Sequence, residues 1–191
     1  MTGPTQDGAS PRFDRTSAAI LDAAARVFSE EEGTAGLGAV AAAAGVSRAT
    51  LYRYYANREA LLDALVTDAG ADLVRRLEDA GLARASVEDA IGRIMRAVVA
   101  VGDRYAVLLS DRGRVKAVFP QFAGPVNEVL ARGIDSGALR NDLSVETLCE
   151  FLSGAALSAV KLTRHKLLGL EEASAAAAGL FLDGSRRPET R

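Results

Sequence analysis

Apolar positions recur at helical spacing along almost the whole chain. Ile20, Leu21, Ala24, Val27 and Phe28 fall at i, i+1, i+4, i+7 and i+8, which predicts a helix from Asp14 that ends at Gly33, a C-capping glycine. A short helix over Leu37–Ala43 follows, then the break Ala44-Gly45-Val46-Ser47, then a second short helix from Ser47 to about Tyr54. Asn57 suits the N-cap of the next helix, whose stripe Leu61, Leu62, Leu65, Val66, Ala69 and Leu73 runs to a stop at Gly81. Ser86 opens another helix with Asp89 three positions on and Ile91, Ile94, Met95, Val98 and Val101 on one face. Tyr105, Leu108 and Leu109 mark a shorter segment, and Phe119-Pro120 breaks the chain. Val126, Val129, Leu130 and Ile134 make the next stripe, and residues 135–142 read as a turn. Ser144 then opens a long helix to about Lys166, and a last one spans about Leu170 to Leu182. No strand-like alternation of useful length appears, so the predicted class is all-α.

The long helix from Ser144 is apolar on more than one side, with Leu148, Phe151, Leu152, Ala156, Leu157, Val160 and Leu162. A helix apolar nearly all round must be covered nearly all round, and a subunit interface is one way to do that. The last helix supplies Ala173, Ala175, Ala176, Ala177, Ala178 and Gly179, small residues that permit close approach, so a homodimer is expected.

Composition narrows the class further. The chain has 191 residues, 49% hydrophobic and 25% charged, with 5% aromatics and no tryptophan, an ordinary soluble balance. A single cysteine, Cys149, forbids an intramolecular disulfide and fits a reducing, cytoplasmic compartment. No secretory signal pattern and no uncharged apolar run of about 18 residues is evident, so no membrane span is expected. The formal net charge is -2, and over residues 1–70 six arginines meet nine carboxylates, which counts against nucleic acid. Charge acts locally, however, over about 8–10 Å. From Gly33 to Leu62 the charged residues are Arg48, Arg53, Arg58 and Glu59, a net positive window.

That window has the mechanics of a helix-turn-helix. Gly45 can take positive φ in the tight turn, Val46 fills the corner, and Ser47 can cap the second helix. The outer side of that helix offers Arg48, Ala49, Thr50, Tyr52, Arg53 and Tyr54. Arginine pairs with guanine edges, threonine reaches a base or a thymine methyl, and tyrosine hydroxyls and Arg58 suit phosphates. A helical hairpin with a solvated face would have the same turn chemistry.

The residues Ile20-Leu21-Asp22-Ala23-Ala24, Phe28, Gly33, Val40 to Ser47, Arg48-Ala49-Thr50-Leu51-Tyr52-Arg53-Tyr54-Tyr55 and Arg58-Glu59-Ala60-Leu61 resemble the DNA-binding domain of the tetracycline-repressor (TetR/AcrR-type) family over about residues 14–66. The resemblance implies an N-terminal three-helix helix-turn-helix domain over 12–58 and a helical ligand-binding and dimerisation domain over 59–184. Disordered tails are expected at 1–11 and 185–191. The resemblance implies DNA contact for Arg48, Thr50, Tyr52, Tyr54 and Arg58, to which the outer side of the second helix adds Arg53 as a candidate. Two residues depart from the family pattern: Gly36 stands where a threonine or serine usually caps the second helix, and Gly38 where a polar or basic residue often reaches phosphate. Arg12 and Arg15 could add contacts ahead of the first helix.

The resemblance also implies an effector cavity among the middle helices, with Met95, Val98, Tyr105, Leu109, Phe119, Phe122, Phe151 and Ala155 as lining and Arg104 or Arg96 as polar anchors. The expected partners are double-stranded DNA, a second copy of the chain and a small-molecule effector. The segment Leu61 to Ala80 is the expected lever between the two activities, and repression is favoured over activation. The alternative is a helical ligand-binding or protein-interaction module that has lost its DNA contacts. Gly36-Leu37-Gly38-Ala39-Val40-Ala41 loosely fits a dinucleotide pattern but lacks the preceding strand. A lone His165 makes no metal set, and no nucleophile–base pair stands at credible spacing, so neither cofactor, metal nor enzymatic activity is expected.

Overall fold

The computed structural model describes residues 11–30, 35–111, 113, 114 and 122–186. Regular structure among them is helical, apart from an isolated antiparallel bridge between Leu139 and Arg186. The chain divides into two compact units, one through Leu65 and one from Val66. No helix among the described residues is long and apolar enough to cross a membrane.

The first unit holds α1 (Pro11–Glu30), α2 (Leu37–Ala43), α3 (Arg48–Tyr54) and the start of α4 (Arg58–Asp79). Its core is Ile20, Ala24 and Phe28 of α1, Val40 of α2, Leu51 of α3 and Leu61 and Leu65 of α4, none of them accessible to solvent. Helix α1 begins at Pro11, three residues before the sequence pattern opens it, because proline is acceptable in a first turn. The expected cap at Gly33 lies outside the described residues.

Two local devices build the turn between α2 and α3. Gly45 takes φ +66°. Its N–H donates to the Ala42 carbonyl (3.1 Å), and that of Val46 to Ala41 (3.0 Å), the paired bonds of a Schellman cap. Ser47 then caps α3, its Oγ accepting from the Thr50 N–H at 3.0 Å. Asn57 Oδ1 accepts from the Ala60 N–H at 2.9 Å and so caps α4. The Tyr55 hydroxyl bonds Ser17 Oγ at 2.7 Å and ties the end of α3 to α1.

The second unit continues α4 to Asp79, where Gly81 (φ +62°) ends it. A 3-10 turn over Leu82–Arg84 leads to α5 (Val87–Arg104). A second 3-10 turn (Ala106–Ser110), α6 (Ala123–Asp135), α7 (Val145–Arg164) and α8 (Leu170–Ser185) follow. Helix α8 continues past Leu182 to Ser185, where the Ser185 carbonyl accepts from the Arg140 N–H at 2.8 Å. The polar tail assigned from 185 therefore contributes its first residue to the helix. Ser86 and Ser144 cap α5 and α7, accepting from the N–H groups of Asp89 (3.0 Å) and Thr147 (3.2 Å).

Helix α5 packs against α6, α7 and α8, and α7 against α6 and α8. Close approach is achieved with glycine. A Cβ on Gly102 would stand 2.6 Å from Val160 Cγ2, and one on Gly133 would stand 2.5 Å from Leu139 Cδ1. Arg132 reaches back from α6 to the carbonyls of Leu82 (3.0 Å), Ala83 (3.0 Å) and Ala85 (3.1 Å), holding the turn before α5.

Candidate nucleic-acid interface

Helix α3 buries Leu51 and leaves Arg48, Ala49, Tyr52 and Arg53 exposed, with Tyr52 51% accessible. This division follows from 3.6-residue periodicity: one apolar anchor is turned inward, and the polar residues face away. Thr50 is half-buried, its Oγ1 2.9 Å from Ser47 Oγ, and so takes part in the cap that orients the helix. The Arg53 guanidinium lies 5.5 Å from the ring centroid of half-buried Tyr54. Arg15 is exposed on α1, while the side chain of Arg12 is outside the described set.

Arg58 is placed differently from the sequence expectation of a phosphate contact. Its Nη1 donates to the Ala35 carbonyl at 2.6 Å, and its guanidinium sits 4.2 Å above the ring centroid of buried Phe28. The side chain is half-buried and braces the segment before α2 against α1. The reason is topological: the start of α4 lies beside Ala35, a contact between residues 23 apart that residue spacing does not reveal.

The candidate lining residues of the second unit separate into groups. Met95, Val98 and Phe122 meet around a cavity of about 100 Å³, with Ile94, Val126, Cys149, Leu152, Ser153, Ala156 and Leu157 completing the wall. Leu152 and Ala156 belonged to the long apolar stripe without being singled out, while Cys149 and Ser153 were missed as lining. Burial, then the charge of Glu150, push the Cys149 thiol up from its ordinary pKa, so it remains a neutral thiol in the wall.

Phe151 is a correction. It is 62% exposed, because the buried face of α7 runs through Leu148, Cys149, Leu152, Ala156, Ala159 and Val160. One step along a helix turns a side chain by about 100°, which takes Phe151 off that face. Tyr105 is buried but engaged elsewhere, its hydroxyl donating to Asp68 Oδ2 at 2.6 Å. Burial and the Asp68 carboxylate push its pKa well above the ordinary phenol value. Arg104 lies 5.2 Å from the Tyr105 ring centroid and 3.9 Å from Asp72, and Arg96 pairs with Glu171, so neither lines the cavity. Phe119 and the side chain of Leu109 lie outside the described residues. His165 caps the end of α7 and is exposed.

Residues 20–65 match the family model for bacterial regulatory proteins of the tetR family. The HTH-type transcriptional repressor LfrR of Mycolicibacterium smegmatis is 40% identical over 107 residues, 53% of this chain and 52% of the relative. Over residues 20–65 the chain is thus similar to the tetR family. The match to this relative spans about half of its length. The solved structure of LfrR from Mycobacterium smegmatis in complex with proflavine superposes with a TM-score of 0.64 at 25% identity, covering 89% of this chain and 96% of that one. The fatty acid degradation regulator FadR from Bacillus halodurans gives a TM-score of 0.72 at 21% identity, over 88% of this chain and 99% of that one, a likeness of fold. The family match and the geometry of α2, the Gly45 turn and α3 thus meet in the same residues. The two comparison structures extend the likeness over most of the chain.

Proposed function

We infer that this chain is a ligand-responsive transcriptional repressor of the tetR family that binds a near-palindromic DNA site as a homodimer. The observation that carries the reading is α3. It is capped by Ser47, anchored by Leu51 and presents Arg48, Tyr52 and Arg53 outward. In a helix-turn-helix the second helix enters the major groove, and a dimer reads two half-sites about one helical turn apart. Arg53, Tyr52 and Tyr54 supply base and phosphate contacts, and Thr50 orients the helix through its cap.

The dimer face is the outer side of α7 and α8. Phe151 (62% accessible), Leu157 (39%) and Leu180 (76%) stand exposed there, beside exposed Gly154, Ala175 and Ala176, small enough for a second helix pair to approach. Exposed large apolar groups on one face favour association. The effector enters the apolar cavity around Met95 and Val98, with Ser153 as a polar contact. At about 100 Å³ that space is smaller than ordinary ligand pockets of about 300–1,000 Å³. A bound effector therefore requires repacking, and binding selects a different arrangement of the second unit. The proflavine bound by LfrR is consistent with a small organic effector of this kind.

The test is selection of bound fragments from a random DNA pool, then anisotropy on the winner at two salt concentrations. An enriched near-palindrome, bound more weakly at high salt and lost with Tyr52→Ala, is expected. No enrichment from a folded protein would sink the reading and favour a module without DNA contacts, which the acidic balance of residues 1–70 would suit. Light scattering of Phe151→Asp/Leu180→Asp should give half the mass of the unmodified chain, and an unchanged mass would reject this dimer face.

A further inference from the structure

Gly38, the second residue of α2, has a neighbour that sequence does not announce. A Cβ built there would stand 2.7 Å from Arg48 Nη2, 3.0 Å from Nε and 3.1 Å from Cζ. A Cβ on Gly36 would meet nothing within 4 Å. The guanidinium of Arg48, from the first residue of α3, therefore lies along the first turn of α2, in space from which a Cβ at position 38 would displace it. Arg48 is exposed, and no hydrogen bond or carboxylate among the described residues holds it. None of its five N–H donors is taken by a described residue, and each can serve an external acceptor.

The position decides what that acceptor is. In a helix-turn-helix the first helix crosses the nucleic-acid backbone while the second lies among base edges. A side chain drawn off α3 onto the first turn of α2 is thus on the backbone side. Phosphate contacts fix orientation and carry no base information. Arg58 is committed to Ala35 and Phe28, so this unit has few cations to spare for that task.

We propose that Arg48 is a phosphate anchor rather than a base reader, and that Gly38 is the positioning residue that lets it lie there. The proposal rests on the DNA-binding reading given above. It makes the missing side chain at 38 a functional choice: the basic group comes from α3 instead of α2.

The experiment uses the full chain and the DNA site it selects. Affinity is measured by anisotropy from 50 to 200 mM salt for the unmodified protein, Arg48→Ala, Gly38→Ala and the double variant, each confirmed folded by its thermal melt. Losing one phosphate contact lowers the slope of log affinity against log salt by about 0.9, so the unmodified protein should lose about 3.5-fold more affinity over that range than either single variant. The double variant should match Arg48→Ala. Repeating the selection with Arg48→Ala should return the same base preferences. Relaxed preference at one base pair would overturn the anchor and make Arg48 a base reader. Gly38→Ala binding like the unmodified protein, with an intact melt, would overturn the role of Gly38. Salt-independent or absent binding by the unmodified protein would overturn the DNA-binding reading itself and this proposal with it.

Discussion

Replacing Arg58 separates two roles that the same side chain could play. The structure gives it a charge-assisted hydrogen bond to the Ala35 carbonyl at 2.6 Å and a seat 4.2 Å above the buried ring of Phe28. Hydrogen bonds involving a charged group contribute about 1.5–3 kcal/mol, and a partly desolvated cation–π contact about 0.5–2 kcal/mol. The two share one guanidinium and are not additive, so Arg58→Ala should cost about 2–3 kcal/mol. A unit of this size shifts its melting temperature by about 4–8 °C per kcal/mol. A fall on the order of 10–20 °C in the transition of the first unit is expected if it melts on its own. Three of the four tyrosines (Tyr52, Tyr54 and Tyr55) lie in that unit, so tyrosine fluorescence reports on it, with calorimetry at matched concentration as the check. Arg58→Lys should fall between, keeping a charge but losing the planar stack. The salt slope of DNA binding should not change, measured well below the melt. An unchanged melt with a slope reduced by about one would refute this reasoning and return Arg58 to the phosphate role its position in the sequence suggests.

Gly102→Ala should destabilise despite a helix-propensity gain of about 0.5–1 kcal/mol, because overpacking against Val160 costs about 1–3 kcal/mol. In a Val160→Ala background the same change should become neutral or stabilising by urea denaturation. Ser47→Ala should cost about 1 kcal/mol in the thermal melt through loss of the α3 cap, and Ser47→Gly only a few tenths. Tyr105 has a pKa raised above its ordinary 10.0 when folded. Its contribution is therefore complete below pH 10 and is lost above it, as the unfolded phenol ionises first. The stability advantage of the unmodified chain over Tyr105→Phe should narrow by about 1.4 kcal/mol between pH 8 and pH 11 in denaturant titrations.

What was legible in the sequence was what local chemistry determines. Gly45, Ser47, Asn57, Ser86 and Ser144 act on backbone within a few residues, and the structure finds the turn and caps where those residues place them. Met95 and Val98 were also legible, because helix period puts them on the apolar face of α5, whereas Phe122, which precedes α6, was named only through the resemblance. Contacts between distant residues were not. Arg58 looked free because Ala35 is 23 residues away, and Gly38 looked like a deficit because the guanidinium that fills its place belongs to another helix. Phe151 failed for a different reason. On a helix apolar nearly all round, period alone cannot tell the inner face from one about 100° away.

Arg132 has a consequence for the order in which the chain can fold as it is made. The carbonyls of Leu82, Ala83 and Ala85 are held by a side chain that follows them by 47–50 residues. At about 5–20 residues per second, a ribosome needs about 2.5–10 s to supply it. Until then the turn ahead of α5 has only water for those acceptors, whereas the unit through Leu65 contains every partner described for it above. A growing chain therefore presents a finished first unit to the cell while the bundle behind it still waits for α6.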